Sequence, residues 1–299
     1  MRKQQEAMPM IYDEPLFRPP SEARSLIIQA TLGCSHNECL FCGMYKMKKF
    51  RPRPFEDFKA DALECAQKLP GATKIFLADG DALVLSTRRL IEILNLLYSN
   101  FPNLERVTSY ANPSNLLNKT DSELRELRAA GLDILYFGVE SGNDYLLKKI
   151  SKGATRGEIL EAGKKALNAG FPLSVTVLLG LGGVKMSREH AIDTASLCSE
   201  MNPTYLSALT LMLGPFEGYF KKAMGEGFEF LDKVQTLREL RMLVENLETD
   251  DCVFRTNHAS NYLPLKGVLK HDRDRLTEMI DTALKNPEVY LRPEFLRAL

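Results

Sequence analysis

The sequence predicts an α/β fold, a partial (β/α)6 TIM-type barrel, on three observations. Between about residues 25 and 211, six short apolar runs alternate with segments of helical period. Each run is nearly all apolar, as in strands covered on both faces. Nearly every run ends in polar residues or glycine at its C-terminal edge, the distribution that a barrel-type site requires. An open doubly wound sheet would gather such residues at one switch point instead.

Residues 1–24 carry Pro9, Pro15, Pro19 and Pro20 with little periodicity, so an extended surface arm is expected. Leu26-Ile27-Ile28 marks a first strand over about 25–31, and a cysteine-bearing loop runs on to about 54. Phe55, Phe58, Ala62, Ala66 and Leu69 step at helical spacing until Pro70-Gly71. Ile75 to Ala78 is a second strand, and Ser86 to about Tyr98 a helix with Leu90, Leu94 and Leu97 inward. Val107 to Ala111 is a third strand, and Thr120-x-x-Glu123 is a capping box for a helix ending at Gly131. Ile134 to Val139 is a fourth strand, and Thr155-x-x-Glu158 opens a helix ending at Gly170. Leu173 to Leu179, a helix over 187–201 and Tyr205 to Leu211 complete the alternation. Right-handed crossovers then make the sheet parallel. The barrel is expected over 25–230, with a helical C-terminal extension packed on it over 231–299. In that extension Val234, Leu237, Leu240, Val244 and Leu247 mark one helix, and Leu276, Met279, Ile280 and Ala283 another over about 272–285. The polar stretch Phe254 to Tyr262 lies between them.

Charge excludes little: Lys+Arg and Asp+Glu number 39 each. No apolar run reaches the ~18–20 residues of a membrane span. Met1 to Glu6 lacks the apolar core of a secretory signal, and Cys65, Cys198 and Cys252 are scattered, so a reducing, cytoplasmic setting is expected. Lys46, Lys48, Lys49, Arg51 and Arg53, with Tyr45 and Phe50 among them, read as a solvated loop or as an anion or nucleic-acid contact.

The chemistry concentrates in Cys34, Cys39 and Cys42, spaced C-x4-C-x2-C just after the first strand. A closed zinc site takes four ligands, and a [4Fe–4S] cluster normally takes four cysteines. Three thiolates on one loop leave a metal position open for a substrate or cofactor. The rival reading is a zinc claw completed by one histidine.

This loop, followed in strand order by Gly138-Val139-Glu140-Ser141-Gly142 and Leu179-Gly180-Leu181-Gly182-Gly183, resembles the radical S-adenosylmethionine (SAM) superfamily. The likeness covers roughly 25–215, to the branch of the oxygen-independent coproporphyrinogen oxidases and the elongator catalytic subunit. The usual spacing there is C-x3-C-x2-C, one residue shorter. The resemblance implies a [4Fe–4S] cluster on Cys34, Cys39 and Cys42, with SAM on the fourth iron and Phe41 near its adenine. Asp79-Gly80-Asp81 stands where the family has Gly-Gly-Glu, which holds the SAM amino group. Glu140 and Ser141 would contact the ribose or methionine part, and Gly180 the adenine. Lys152-Gly153-Ala154-Thr155 resembles the branch's Gly-His-Thr segment, and the following Arg156 would reach the SAM carboxylate. Asn112, at the end of the third strand, joins the cofactor-binding set; no catalytic residue is assigned.

These assignments suit the residue types. Carboxylates suit an ammonium group, a glutamate can accept two ribose hydroxyls, and glycines let a flat base lie against backbone. Each also has a plain structural reading: Asp79 and Asp81 as helix caps, Glu140 as an ion-pair partner, Gly180 to Gly183 as a turn. The resemblance implies reductive cleavage of SAM to a 5′-deoxyadenosyl radical that takes hydrogen from a substrate the sequence does not name. A flavodoxin- or ferredoxin-type donor is implied. Two alternatives stay open. One is a haem carrier that binds cluster and SAM, with His36, His190, His258 and His271 as ligand candidates; the other is an RNA-modifying enzyme using the basic loop. The segment 257–262 could close over the barrel mouth.

Overall fold

A computed structural model of the chain describes residues 12–298. Much of the expected arm, including Pro9, lies outside the described residues. From Tyr12 onward the arm hydrogen-bonds to the first strand: Tyr12 Oη donates to Ile27 O (3.1 Å) and Gln29 Nε2 to Asp13 O (3.1 Å).

The strands are β1 (Leu26–Gln29), β2 (Thr31–Leu32), β3 (Arg51–Pro52), β4 (Lys74–Ala78), β5 (Arg106–Ala111), β6 (Leu132–Glu140), β7 (Leu173–Leu179), β8 (Tyr205–Thr210), β9 (Val253–Arg255) and β10 (Lys266–Val268). The helices are α1 (Phe55–Lys68), α2 (Thr87–Asn100), α3 (Pro113–Leu117), α4 (Asp121–Ala129), α5 (Asp144–Lys149), α6 (Arg156–Asn168), α7 (Gly183–Met201), α8 (Glu217–Met224), α9 (Lys233–Asn246), α10 (Leu269–Lys285) and α11 (Pro287–Tyr290). Eight strands form one sheet in the order β1-β4-β5-β6-β7-β8-β9-β10, and β2 pairs with β3 apart from it. This is the α/β sheet of a partial TIM-type fold. The described chain divides into two compact units, the first holding residues up to Asn37 with Met44–Ala111 and Lys119–Leu135, the second Glu38–Gly43, Asn112–Asn118 and everything from Tyr136.

In the first unit β4 runs parallel to both β1 and β5, with Leu77 opposite Ile28 and Ser109. Ile75, Phe76, Leu77 and Ala78 have no exposed surface, so β4 is covered on both faces. α1 carries Glu56 and Asp57 in its first turn and Lys68 in its last, matching its dipole, and buries Phe58, Ala62 and Cys65. The Ser86 side chain caps α2, which buries Leu90, Ile93, Leu94 and Leu97. The capping box on α4 is formed, with Glu123 N donating to Thr120 Oγ1 and Thr120 N to Glu123 Oε2.

In the second unit β7 and β8 are parallel, and β9 continues the sheet parallel to β8. β10 joins antiparallel. The sheet therefore has two more strands than expected. Each is three residues long and lies in or beside the polar stretch, too short to show alternation. β7 also differs from a uniformly buried strand: Leu173, Val175, Val177 and Leu179 are buried, while Ser174, Thr176 and Leu178 are half-buried. α7 begins at Gly183, four residues before the expected start, because the glycine edge of β7 passes straight into the helix. α9 packs on α7 and α10 through Leu237, Leu240, Leu243 and Val244. No helix among the described residues is long and apolar enough to cross a membrane.

Candidate active site

The first unit carries Cys34, Asp79, Gly80 and Asp81. Gly33, just before Cys34, adopts φ +72°, and its N–H donates to Asp79 Oδ2 (3.0 Å). The same oxygen receives Lys48 Nζ at 3.0 Å. Lys48 is itself buried and also pairs with Asp13 (3.4 Å). Asp79 is fully buried, and its Oδ1 has no hydrogen-bond partner. Asp81, equally buried, accepts a hydrogen bond from Ser35 Oγ in the cysteine loop. Neither aspartate caps α2, since Ser86 does. Gly80 is needed for packing: a Cβ there would run into the Tyr45 ring.

The basic loop is partly structural. Lys48 holds Asp79, Arg53 pairs with Asp61 (2.5 Å) and donates to Gln29 O (3.1 Å), and Lys46 donates to Asn37 O (2.6 Å). Lys49 and Arg51 remain exposed.

The second unit carries Cys39, Cys42, Phe41, Asn112, Glu140, Ser141, Arg156 and Gly180. Cys42 N donates to Cys39 O (3.3 Å), and Leu40 N to Ile150 O (2.9 Å), pinning the loop to the end of α5. Leu40 and Phe41 pack on an apolar cluster of Ile150, Leu181, Leu213, Phe220 and Phe228. Phe41 thus packs on the cluster that includes Leu181, the residue after Gly180.

Glu140, at the end of β6, adopts φ +65°. Its Oε1 accepts from Lys152 Nζ at 3.1 Å, with the two side chains 10% and 9% exposed. A Cβ at Gly138 would occupy the place of that carboxylate oxygen, so the first glycine of Gly-Val-Glu-Ser-Gly makes room for the pair. Burial by itself would lower the Lys152 pKa, but the charges of Glu140, Cys39 and Cys42 outweigh it and hold the ammonium above its ordinary range. Lys152 therefore pairs with Glu140 in the unit that also carries Cys39 and Cys42. In the sequence Lys152 carries no role of its own beyond opening the segment that resembles Gly-His-Thr.

Asn112 caps α3, its Oδ1 accepting from Asn115 N (2.9 Å) and Ser114 Oγ (2.8 Å), while its buried Nδ2 has no partner. Ser141 Oγ accepts from Asn143 N (3.1 Å), so this hydroxyl forms a turn. Gly180 has φ +89°, and the nearest atom to a Cβ there would be Leu211 Cβ at 3.8 Å, leaving its face open. Arg156 is not gathered with these groups. Its guanidinium is taken by Ser196 (3.1 Å) and Glu200 of α7.

The segment 257–262 is docked on the sheet. Asn261 accepts from Thr210 Oγ1 (2.9 Å) and donates to Ala208 O (2.8 Å), at the end of β8. His258 Nδ1 accepts from Ser260 N (3.1 Å), and His190 is buried against Glu239. Among the described residues no cysteine is in a disulfide, and Cys34, Cys39 and Cys42 are half-buried. Among the described residues no three His, Cys, Asp or Glu side chains are arranged as an ion site.

Comparisons with known proteins follow the same lines. The haem chaperone HemW of Bacillus subtilis (strain 168) is 30% identical over 142 residues, 46% of this chain and 37% of that protein. The putative methylthiotransferase MJ0865 of Methanocaldococcus jannaschii is 28% identical over 159 residues, 50% of this chain and 34% of that protein. The chain thus spans little more than a third of the length of these curated relatives. Among solved structures, the coproporphyrinogen III oxidase HemN of Escherichia coli superposes with a TM-score of 0.57 at 20% identity, covering 74% of this chain and 51% of that one. That likeness speaks for the fold. The model of the radical SAM superfamily, whose members bind a [4Fe–4S] cluster and SAM, matches residues 28–195. Since that match takes in more than half of the chain, this protein belongs to the radical SAM superfamily.

Proposed function

We propose that the chain is a radical SAM enzyme that cleaves SAM reductively and uses the resulting radical to take hydrogen from a substrate still to be identified. The observation that carries this reading is the buried Glu140–Lys152 pair at the Gly-Val-Glu-Ser-Gly strand end, in the same compact unit as Cys39 and Cys42. The family's cofactors fit the residues present. Cys34, Cys39 and Cys42, half-buried and outside any disulfide, would hold the cluster. Asp79 Oδ1, buried without a partner, is an acceptor suited to the ammonium of SAM. Lys152 supplies a cation for its carboxylate, and Glu140 an acceptor for hydroxyls. The open face at Gly180 admits a flat base, and Phe41 provides an apolar wall that excludes water.

When bound, the cluster supplies the electron that breaks the sulfonium C–S bond and releases a 5′-deoxyadenosyl radical. The chain's own residues bind and orient. Lys152, held charged by its surroundings, donates to Glu140 Oε1 and orients that carboxylate. A flavodoxin- or ferredoxin-type donor would deliver the electron, in a cytoplasm that keeps the thiols reduced. Anaerobic reconstitution, then SAM and dithionite, should yield 5′-deoxyadenosine. An intact cluster with no product would sink the enzyme reading.

Similarity to HemW supports a second reading, a haem carrier of this fold. Of its four histidine candidates, His190 is buried against Glu239, which leaves His36, His258 and His271. Haem titration followed by the Soret band separates the two. The RNA-modifying reading draws little from the basic loop, where Lys46, Lys48 and Arg53 already have partners.

A further inference from the structure

Beneath Gly180 lies a buried carboxylate that the chemistry above does not use. Glu239, on α9, has no exposed surface. Its Oε1 accepts the Gly180 N–H at 2.7 Å and stands 3.1 Å from Nδ1 of His190 on α7, which is 2% exposed. With Oε1 accepting, His190 donates through Nδ1. A carboxylate in a core is costly unless bonded, and α9 buries it together with Thr236, Leu237, Leu240, Leu243 and Val244. What the carboxylate provides is local. Gly180 follows the last residue of β7, where Leu211 N already donates to Leu179 O (3.0 Å). The Gly180 carbonyl accepts from Gly183 N (3.1 Å), which closes the turn on one side. Glu239 takes the amide on the other. The Leu179–Gly180 peptide plane is thus held from both ends, by Leu211 N at its carbonyl and Glu239 at its N–H, and leads into a Gly180 conformation that favours glycine.

We propose that Glu239, oriented by His190, is a positioning residue for the SAM base. It touches no ligand; it fixes the Gly180 peptide plane against which the base lies. This inference rests on the reading of Gly180 as the base-binding edge.

The test uses Glu239→Ala and Glu239→Gln with two readouts: SAM binding to the reconstituted chain by equilibrium dialysis, and amide exchange of the 178–184 segment before reconstitution. Glu239→Ala should weaken SAM about tenfold and speed exchange of the Gly180 amide, since a hydrogen bond to a charged acceptor is lost. Glu239→Gln keeps an oxygen acceptor and should stay within about threefold of wild type. A folded Glu239→Ala chain with unchanged SAM affinity overturns the proposal, as does a Gln variant as weak as the Ala variant. If wild type itself fails to bind SAM, the base-edge reading fails and the proposal with it; the exchange data then report only on the Glu239–Gly180 bond. Should Glu239→Ala not fold, His190→Leu tests the same link: several-fold weaker SAM binding supports it and no change overturns it.

Discussion

Replacing Lys152 with methionine tests the pairing at the end of β6. The ammonium and the Glu140 carboxylate are 9% and 10% exposed and 3.1 Å apart. Lys152→Met keeps most of the side-chain volume but leaves Glu140 buried without its cation. Removing one partner of a buried pair costs about 3–5 kcal/mol, because the remaining charge has lost its solvation and its counter-charge. Glu140→Met/Lys152→Met removes both charges, and its loss should be about 1 kcal/mol or less, since two apolar groups leave nothing unsatisfied. Urea unfolding in reducing buffer, followed by circular dichroism, reads both. The difference should hold flat through neutral pH. The Lys152 pKa is raised above its ordinary 10.5, so its contribution is complete below that value and fades only as pH climbs through the higher folded value. A single variant within about 1 kcal/mol of wild type, or a double variant no better than the single, would refute the reasoning.

Other perturbations probe the remaining parts. Lys48→Met strands the buried Asp79 in the same way and should cost about 3–5 kcal/mol by urea unfolding; no loss would mean that Gly33 N alone satisfies that carboxylate. Gly142→Ala forces a Cβ against the Asp193 backbone carbonyl of α7, which cannot swing aside; about 1–3 kcal/mol of stability should go, and a neutral result would contradict the packing. In the native chain before reconstitution, a thiol reagent should modify Cys34, Cys39 and Cys42 quickly and Cys65, Cys198 and Cys252 slowly. Burial, then Asp61, pushes the Cys65 thiol up to about 11, and burial pushes Cys252 up to about 12. Their thiolate fractions, and so their rates, should rise about tenfold per pH unit below those values. Six equally fast thiols would refute the assignment.

Local signals located most elements. The apolar run at Ile75, the helical step through Leu90, Leu94 and Leu97, and the capping boxes at Thr120 and Thr155 each involve residues within one or two turns of each other, and each appears where expected. The short elements were lost. α3, α5, β9 and β10 are too brief for a period to show, and β9 exists because β8 offers it an edge. The candidate site divides the same way. The spacing of Cys34, Cys39 and Cys42 and the run Gly138 to Gly142 are contiguous, so the chain's order alone displayed them. What folding decided was partnership across distance. Lys48 went to Asp79 rather than to solvent, Lys152 to Glu140, Arg156 away to Glu200, and Glu239 to the Gly180 amide. A charged side chain carries no local sign of its partner. The partner is chosen when burial removes water and only a nearby counter-charge or N–H can replace it.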